Sequence, residues 1–260
     1  MQRLAISGSH GFLGKHLFKR LERLGYTLER IDRNGLFSGE ADWIFDLGAY
    51  GNLFGQNDKK EMLKANVIKL GRLLLKEYEA LVYISSSSVG LKIQTDYSKS
   101  KKEAEDLLKR YVDTYNSPAV IVRPFTVIGP GEPDIHLIPK LINSCLSGEK
   151  MPFVPAPVHD FVDVRDLVEA LILIAKNADK HKGETFEVGI GKAHANWEIK
   201  ELVEEICGTS ANLEIVDSLR PYDTRSWVAN NSKITKLGWK PKYTLKQTIF
   251  GMVSKYLSGV

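Results

Sequence analysis

Tyr97 and Lys101 stand four residues apart in the run Tyr97-Ser98-Lys99-Ser100-Lys101, and a serine run, Ser85-Ser86-Ser87-Ser88, lies just upstream. Residues at i and i+4 share one face of a helix. There an ammonium group lowers the pKa of a phenol, and the tyrosine can act as acid or base on an alcohol or ketone. A serine hydroxyl can bond the same oxygen. Alone, such a Tyr–Lys pair is usually a helix-surface pair, and a serine run is usually a turn. What gives them weight is a third motif earlier in the chain.

That motif is Gly8-Ser9-His10-Gly11-Phe12-Leu13-Gly14, between the apolar run Leu4-Ala5-Ile6 and the amphipathic stretch Lys15 to Leu24. Strand, glycine turn and helix in this order form the context of a dinucleotide site. Gly8 permits the tight turn, Gly11 clears the approach of a pyrophosphate and Gly14 lets helix pack on strand. The helix N-terminus then offers unpaired N–H groups to the phosphates. The next requirement is an acidic residue about 20 positions on. Asp32 meets it at the end of Tyr26-Thr27-Leu28-Glu29-Arg30-Ile31. A carboxylate there bonds ribose hydroxyls and repels a 2′-phosphate, which favours NAD; Arg33 beside it keeps NADP as the alternative. With a dinucleotide in place, Lys101 can also reach the nicotinamide ribose.

The elements that must position these residues alternate along the chain. Asp42 to Leu47, Ala80 to Ile84 and Ala119 to Val122 read as strands, and 61–78 and 98–115 as helices. Alternation of this kind implies an α/β fold with a doubly wound parallel sheet, the Rossmann arrangement. Residues 1–125 are expected to form the dinucleotide-binding core. Residues 126–260 are expected to form a small C-terminal substrate lobe plus segments returning to the core, all in one integrated unit. The prolines of the 150s (152, 155 and 157) read as a crossing between lobes.

Bulk properties fit an enzyme and exclude little. The net charge of +4 comes from 36 basic and 32 acidic residues spread along the chain, so no concentrated basic stripe marks a nucleic-acid partner. Cys145 and Cys207 lack metal-ligand spacing and read as reduced and partly buried. No apolar run is long enough to span a membrane and no signal peptide precedes the first strand, so the cytoplasm is the expected compartment.

With these motifs in order, the chain resembles the short-chain dehydrogenase/reductase superfamily, specifically its extended branch of nucleotide-sugar epimerases and dehydratases. Further segments carry the resemblance: Asn66-Val67, Val82 to Ser87, Val122-Arg123-Pro124-Phe125-Thr126-Val127-Ile128-Gly129-Pro130-Gly131, His159 to Leu167, Leu219 to Asp223, and Lys236 to Pro241. It implies Ser86 as the catalytic hydroxyl, with Ser85 and Ser87 as rivals, Tyr97 as acid/base and Lys101 as its partner. Phe12, Leu13, Leu47, Asn66, Ser85 and Pro124 join the glycines, Asp32, Arg33, Tyr97 and Lys101 at the cofactor. Ser87, Thr126, His159 and Arg220 are the substrate positions it implies. A homodimer through helices such as 61–78 and 98–115 is common among family members, and the oligomeric state stays open here.

Departures from the family pattern are equally informative. Nine residues, Arg33 to Ala41, separate Asp32 from the third strand, whereas a parallel crossover normally takes a dozen or more and a helix. The second crossover helix is therefore expected to be missing, with one sheet face open or covered by a partner chain. Ten residues between Ser86 and Tyr97 are fewer than extended members carry, so a different or smaller substrate is a serious reading. Thr126 stands where many relatives have asparagine. His159 replaces a phosphate-binding arginine and could bind only as a cation or neutral donor; its alternative role is packing beside Phe161. Ser87 and Ser88 occupy positions that carry an acidic pair in dehydratases, which disfavours dehydration. The leading reading is an NAD-dependent nucleotide-sugar 4-epimerase. Its alternatives are an NAD(P)-dependent reductase of a keto-sugar or small ketone, and a non-catalytic NAD(P)-binding subunit.

Overall fold

The apolar run that opens the chain forms β1 (Arg3–Ser7), with Leu4, Ala5 and Ile6 buried. The computed structural model describes residues 2–53, 55–217 and 227–258. After β1 come α1 (Phe12–Arg23), β2 (Thr27–Ile31) and β3 (Trp43–Asp46). Helix α2 (Lys59–Leu63), a π-helical turn (Lys64–Ile68) and α3 (Lys69–Leu74) follow as one continuous helical segment. Then come β4 (Ala80–Ile84), α4 (Asp96–Tyr115) and β5 (Ala119–Pro124).

The next stretch carries β6 (Thr126–Ile128), α5 (Leu137–Ser147), β7 (Met151–Phe153), β8 (Val158–His159), β9 (Phe161–Asp163) and α6 (Val164–Lys176). The chain closes with β10 (Thr185–Val188), β11 (His194–Ala195), α7 (Asn196–Cys207), β12 (Leu213–Ile215), α8 (Ser232–Lys236) and α9 (Leu245–Ser258).

Two compact units result. The first takes Met1–Pro124, Val168–Val188 and Ser232–Trp239. Its six-stranded sheet has the order β10-β5-β4-β3-β1-β2, every pairing parallel. All five residues of β4 are buried, as a strand covered on both faces requires. This is the doubly wound α/β fold expected from the alternation. The reversal of strand order at β1 and β3 puts the C-terminal ends of β1, β3 and β4 where such folds bind ligands.

No helix links β2 to β3, as the short spacing predicts. The sheet face beside that link is not left open, however. Phe37 of the loop packs on a cluster containing Ile31, Ala41, Ile44, Val67 and Leu70. Arg72 Nη1 donates to Asn34 O at 2.8 Å, and Ser38 N donates to Glu29 Oε1 at 2.6 Å. One aromatic side chain and a few loop hydrogen bonds thus occupy part of the space that a crossover helix fills elsewhere.

The second unit takes Phe125–Leu167, Gly189–Asn231 and Lys240–Val260. Helices α5, α7 and α9 share a core with Phe153, Phe161 and Met151, and three small two-stranded sheets pair β6 with β9, β8 with β11 and β7 with β12. The prolines of the 150s lie wholly inside this unit and are not a crossing between units. Pro152 sits in β7 opposite Glu214. The carbonyls of Pro155 and Pro157 accept from Trp197 N and Asn196 N. Proline lacks a donor but keeps its acceptor, so it can serve a small sheet from an edge.

Candidate active site

The glycine turn is built on backbone contact. Gly8 has φ +65°, and a Cβ on it would lie 2.7 Å from Gly48 N. A Cβ on Gly14 would stand 2.1 Å from Gly8 O, so only glycine lets α1 start this close to β1. Gly11 N donates to Gly8 O at 2.9 Å, and Gly11 caps α1 with no side chain over the helix end. Phe12 and Leu13 open that helix, so their N–H groups lie in its first turn. The cradle fits a dinucleotide diphosphate: it offers N–H donors, a positive helix end and no acidic residue in the first turn.

Asp32 follows the last residue of β2 and is exposed. Its Oδ1 accepts from Asn34 N and Leu36 N, both at 2.8 Å. The bond from Leu36 leads the causes that hold its carboxyl below the usual range. The residue therefore shapes its own turn while keeping a charged oxygen outward. Arg33 beside it is exposed.

Asn66 sits in the π-helical turn, and its amide is spent on the chain. It accepts from Tyr50 N at 3.0 Å and donates to Tyr50 O at 2.9 Å and Ser100 Oγ at 2.8 Å. Ser100 Oγ donates in turn to Tyr97 O at 2.8 Å. Asn66 thereby braces the first turn of α4 against the segment after β3. Leu47 is half-buried in that segment, and Pro124 ends β5 in register with Val188.

At the C-terminal end of β4 the three serines separate. Ser85 is buried and donates to Glu105 Oε1 at 2.6 Å. Glu105 also takes a bidentate grip from Arg123, at 2.8 Å from Nε and 2.6 Å from Nη2. Ser86 instead shares a hydrogen bond with Ser88 Oγ at 2.8 Å and accepts from Ser88 N at 3.2 Å. Ser87 begins the 3-10 turn Ser87–Gly90 and is half-buried. Of the rival hydroxyls, Ser85 is taken up by Glu105, whereas Ser86 is bonded to its neighbour Ser88.

Tyr97 lies in the first turn of α4, where Thr95 Oγ1 caps the helix by accepting from Ser98 N at 3.1 Å. One turn on, Lys101 is 1% exposed; its Nζ donates to Ile84 O at 2.6 Å and stands 4.5 Å over the Tyr83 ring. Burial pushes Lys101 down to about 7, helped by Lys69 and opposed by Asp46 and Glu105. Burial likewise pushes Tyr97 up to about 12, with the Ser86 hydroxyl acting against it. The expected lowering of the phenol by Lys101 is therefore not what this structure shows. Desolvation dominates, and the lysine amine is directed to the Ile84 carbonyl.

In the second unit Thr126 starts β6 and its N–H donates to Asp160 O at 2.9 Å. His159 is 8% exposed, with ring centroids 5.8 Å from Phe161 and 5.5 Å from Trp227. Its ring is thus packed between aromatics. Arg220 and the Leu219 to Asp223 motif lie outside the described residues.

Sequence reasoning overlooked Glu105, Lys69 and Asp46. Glu105 was within reach, because Tyr97, Lys101 and Glu105 continue one i, i+4 series on a single helical face.

Residues 36–189 match the NAD dependent epimerase/dehydratase family, and the chain belongs to it. The low-salt glycan biosynthesis protein Agl12 of Haloferax volcanii is 29% identical over 62% of this chain, which spans about half (52%) of that relative's length. CDP-abequose synthase of Salmonella typhimurium is 24% identical over 94% of this chain and 95% of its own. Among solved structures, MoeE5 in complex with UDP-glucose and NAD superposes with a TM-score of 0.89 at 23% identity, covering 99% of both chains. The fold is that of the extended short-chain dehydrogenases/reductases, and the family is one of NAD-dependent enzymes. Among the described residues no helix is long and apolar enough to cross a membrane, and no group of three or more His, Cys, Asp or Glu could hold a metal ion.

Proposed function

We propose that this chain is an NAD-dependent nucleotide-sugar 4-epimerase that works by transient oxidation of a sugar hydroxyl. The observation that carries the reading is Tyr97 in the first turn of α4, after the Ser86 segment at the end of β4, with the buried Lys101 one helical turn behind it. Ser87 and Ser88 supply no carboxylate beside this group, so proton removal from a neighbouring carbon has no base there. Oxidation and return at one carbon, with NAD as hydride acceptor, would need from the chain only the hydroxyl, the phenol and the ammonium.

The residues that would hold NAD are the turn Gly8–Gly14, Asp32 toward the ribose, Pro124, and Lys101 toward the nicotinamide ribose. Bound NAD supplies the hydride acceptor, which becomes the donor on the return step. At rest Tyr97 is protonated, since burial holds it near 12, and this form returns a proton to a carbonyl oxygen. Removing a hydroxyl proton requires the phenolate, which a charged Lys101 one helical turn away would favour. Ser86 keeps the same oxygen in line. Ser87 is the proposed substrate contact within the first unit. Similarity to MoeE5 and to CDP-abequose synthase supports a nucleoside diphosphate sugar as substrate class.

The test is to denature the purified protein, identify any nicotinamide released, and then incubate the native protein with UDP-sugars without added cofactor. Stoichiometric NAD and interconversion of C4 epimers are expected. Empty protein that consumes NADH or NADPH against a keto-sugar would overturn the epimerase reading in favour of a reductase.

A further inference from the structure

Beneath the glycine turn lies an ion pair that acid-base chemistry at Tyr97 does not require. Asp46, the last residue of β3, pairs with Lys69, the first of α3, at 2.6 Å, with side chains 0% and 3% exposed. Desolvating two ions is costly, so such a pair seldom adds stability over an apolar one. Its contacts suggest another use. Lys69 Nζ donates to Gly48 O and lies 3.3 Å from Ser7 Oγ. Ser7 Oγ donates to Asp46 Oδ1 and accepts from Gly48 N at 2.9 Å. Both backbone polar groups of Gly48 are therefore held by side chains of β1 and α3.

Gly48 is also the residue against which the glycine turn rests. A Cβ on Gly8 would meet Gly48 N at 2.7 Å, and one on Gly48 would meet Lys69 Nζ at 2.8 Å and Gly8 N at 3.3 Å. Two backbones touch with no side chain between them, so any shift of Gly48 passes directly to Gly8. The π-helical turn ends one residue before Lys69. Its extra residue changes the helical phase and accompanies the burial of Asn66, Val67, Lys69 and Leu70 together.

We propose that Lys69, with Asp46 and Ser7, is the positioning residue of the dinucleotide cradle, fixing Gly48 behind the Gly8 turn and setting the field at Lys101. This rests on the NAD-dependent reading above. The field argument follows from what acts on Lys101: Asp46 from β3, Lys69 from α3, Tyr83 from β4, and Glu105 from its own helix. Asp46 Oδ2 is buried without a hydrogen-bond partner, so much of its charge is left to act on its surroundings. Lys69 opposes the charged form of Lys101, and Asp46 favours it.

The experiment measures the NAD dissociation constant by calorimetry on the full chain, together with the melting temperature. Ser7→Ala removes only the hydroxyl that takes Gly48 N. The double variant Asp46→Leu/Lys69→Met replaces the pair by apolar groups, an exchange that proteins often tolerate. Both are expected to fold and to weaken NAD binding by about tenfold, the equivalent of one net hydrogen bond at the cradle. Across pH, the midpoint at which affinity declines should move down in Asp46→Asn and up in Lys69→Gln, opposite shifts that a purely structural role would not give. Folded variants that bind NAD like the wild type, with unmoved midpoints, would overturn the inference alone. A wild-type chain that binds neither NAD nor NADP would overturn the functional reading and this inference with it.

Discussion

Ser85 donates its hydroxyl to Glu105 at 2.6 Å, and this single bond separates two adjacent serines into different roles. Ser85 is committed to the buried Glu105–Arg123 fork, and Ser86 is the hydroxyl proposed to serve Tyr97. The variants should divide accordingly. Ser86→Ala is expected to lower turnover by about 10²-fold, the usual loss for a donor at the reacting oxygen, with the melting temperature little changed. Ser85→Ala should cost about 1 kcal/mol of stability for the lost hydrogen bond and have the smaller effect on turnover. Turnover and thermal melts on both variants check this; a larger turnover loss in Ser85→Ala would reverse the assignment.

Lys101 gives stability a pH dependence of definite sign. Its folded pKa of about 7 lies below the ordinary 10.5. Between these values the unfolded chain binds more protons than the folded one, so this group makes the protein more stable as pH rises from about 7 toward 10.5. Tyr97, held near 12 against an ordinary 10, acts oppositely above pH 10. Urea unfolding at pH 7, 8 and 9 should show stability rising more steeply in the wild type than in Lys101→Met. Equal slopes would contradict the burial of a depressed lysine.

Gly14 leaves no space for a methyl group, since a Cβ there would stand 2.1 Å from Gly8 O. Gly14→Ala must therefore push α1 away from β1. A destabilisation of about 1–3 kcal/mol is expected, the range for overpacking a tight contact, together with loss of NAD affinity. Chemical denaturation and an NAD titration measure the two effects. An alanine variant with normal stability and affinity would show that the helix can shift without consequence.

Asp32 combines turn formation with charge, and two substitutions pull these apart. Asp32→Asn keeps an acceptor for Asn34 N and Leu36 N but removes the negative charge. It should fold normally and lose preference for NAD over NADP. Asp32→Ala should lose both the preference and the order of the turn. Dissociation constants for the two cofactors, alongside proteolysis of the 32–42 loop, distinguish the cases.

What was legible in the amino-acid order was local. The glycine turn, Asp32, the serines and the Tyr97–Lys101 pair each announce themselves within a few residues, because backbone sterics and helical spacing act over that range. The absent crossover helix was legible too, from chain length alone. Phe37 filling the space beside it was not, because a lone aromatic in a polar loop carries no periodicity. Lys69 and Asp46 were hidden for a related reason. A lysine in a helix reads as solvated, and only the meeting of β3 with α3 shows it buried. The prolines of the 150s misled because proline marks an interruption of regular structure without saying whether a boundary or a small sheet lies there. His159 went between two aromatic rings, one of them, Trp227, sixty-eight positions away in the chain.

The strand order of the six-stranded sheet has an outcome for colloidal behaviour. It leaves β2 as the last strand of the sheet, with its outer rim of N–H and C=O groups available to the strand of another molecule. Such a rim is a template for polymerisation unless guarded. Here the strand is only five residues long, and two of them, Glu29 and Arg30, are charged. Glu29 ties the returning loop through Ser38, and Arg30 lies 4.5 Å over the Phe18 ring. The strand order leaves β2 at an edge, and two charged residues guard it against strand-by-strand growth.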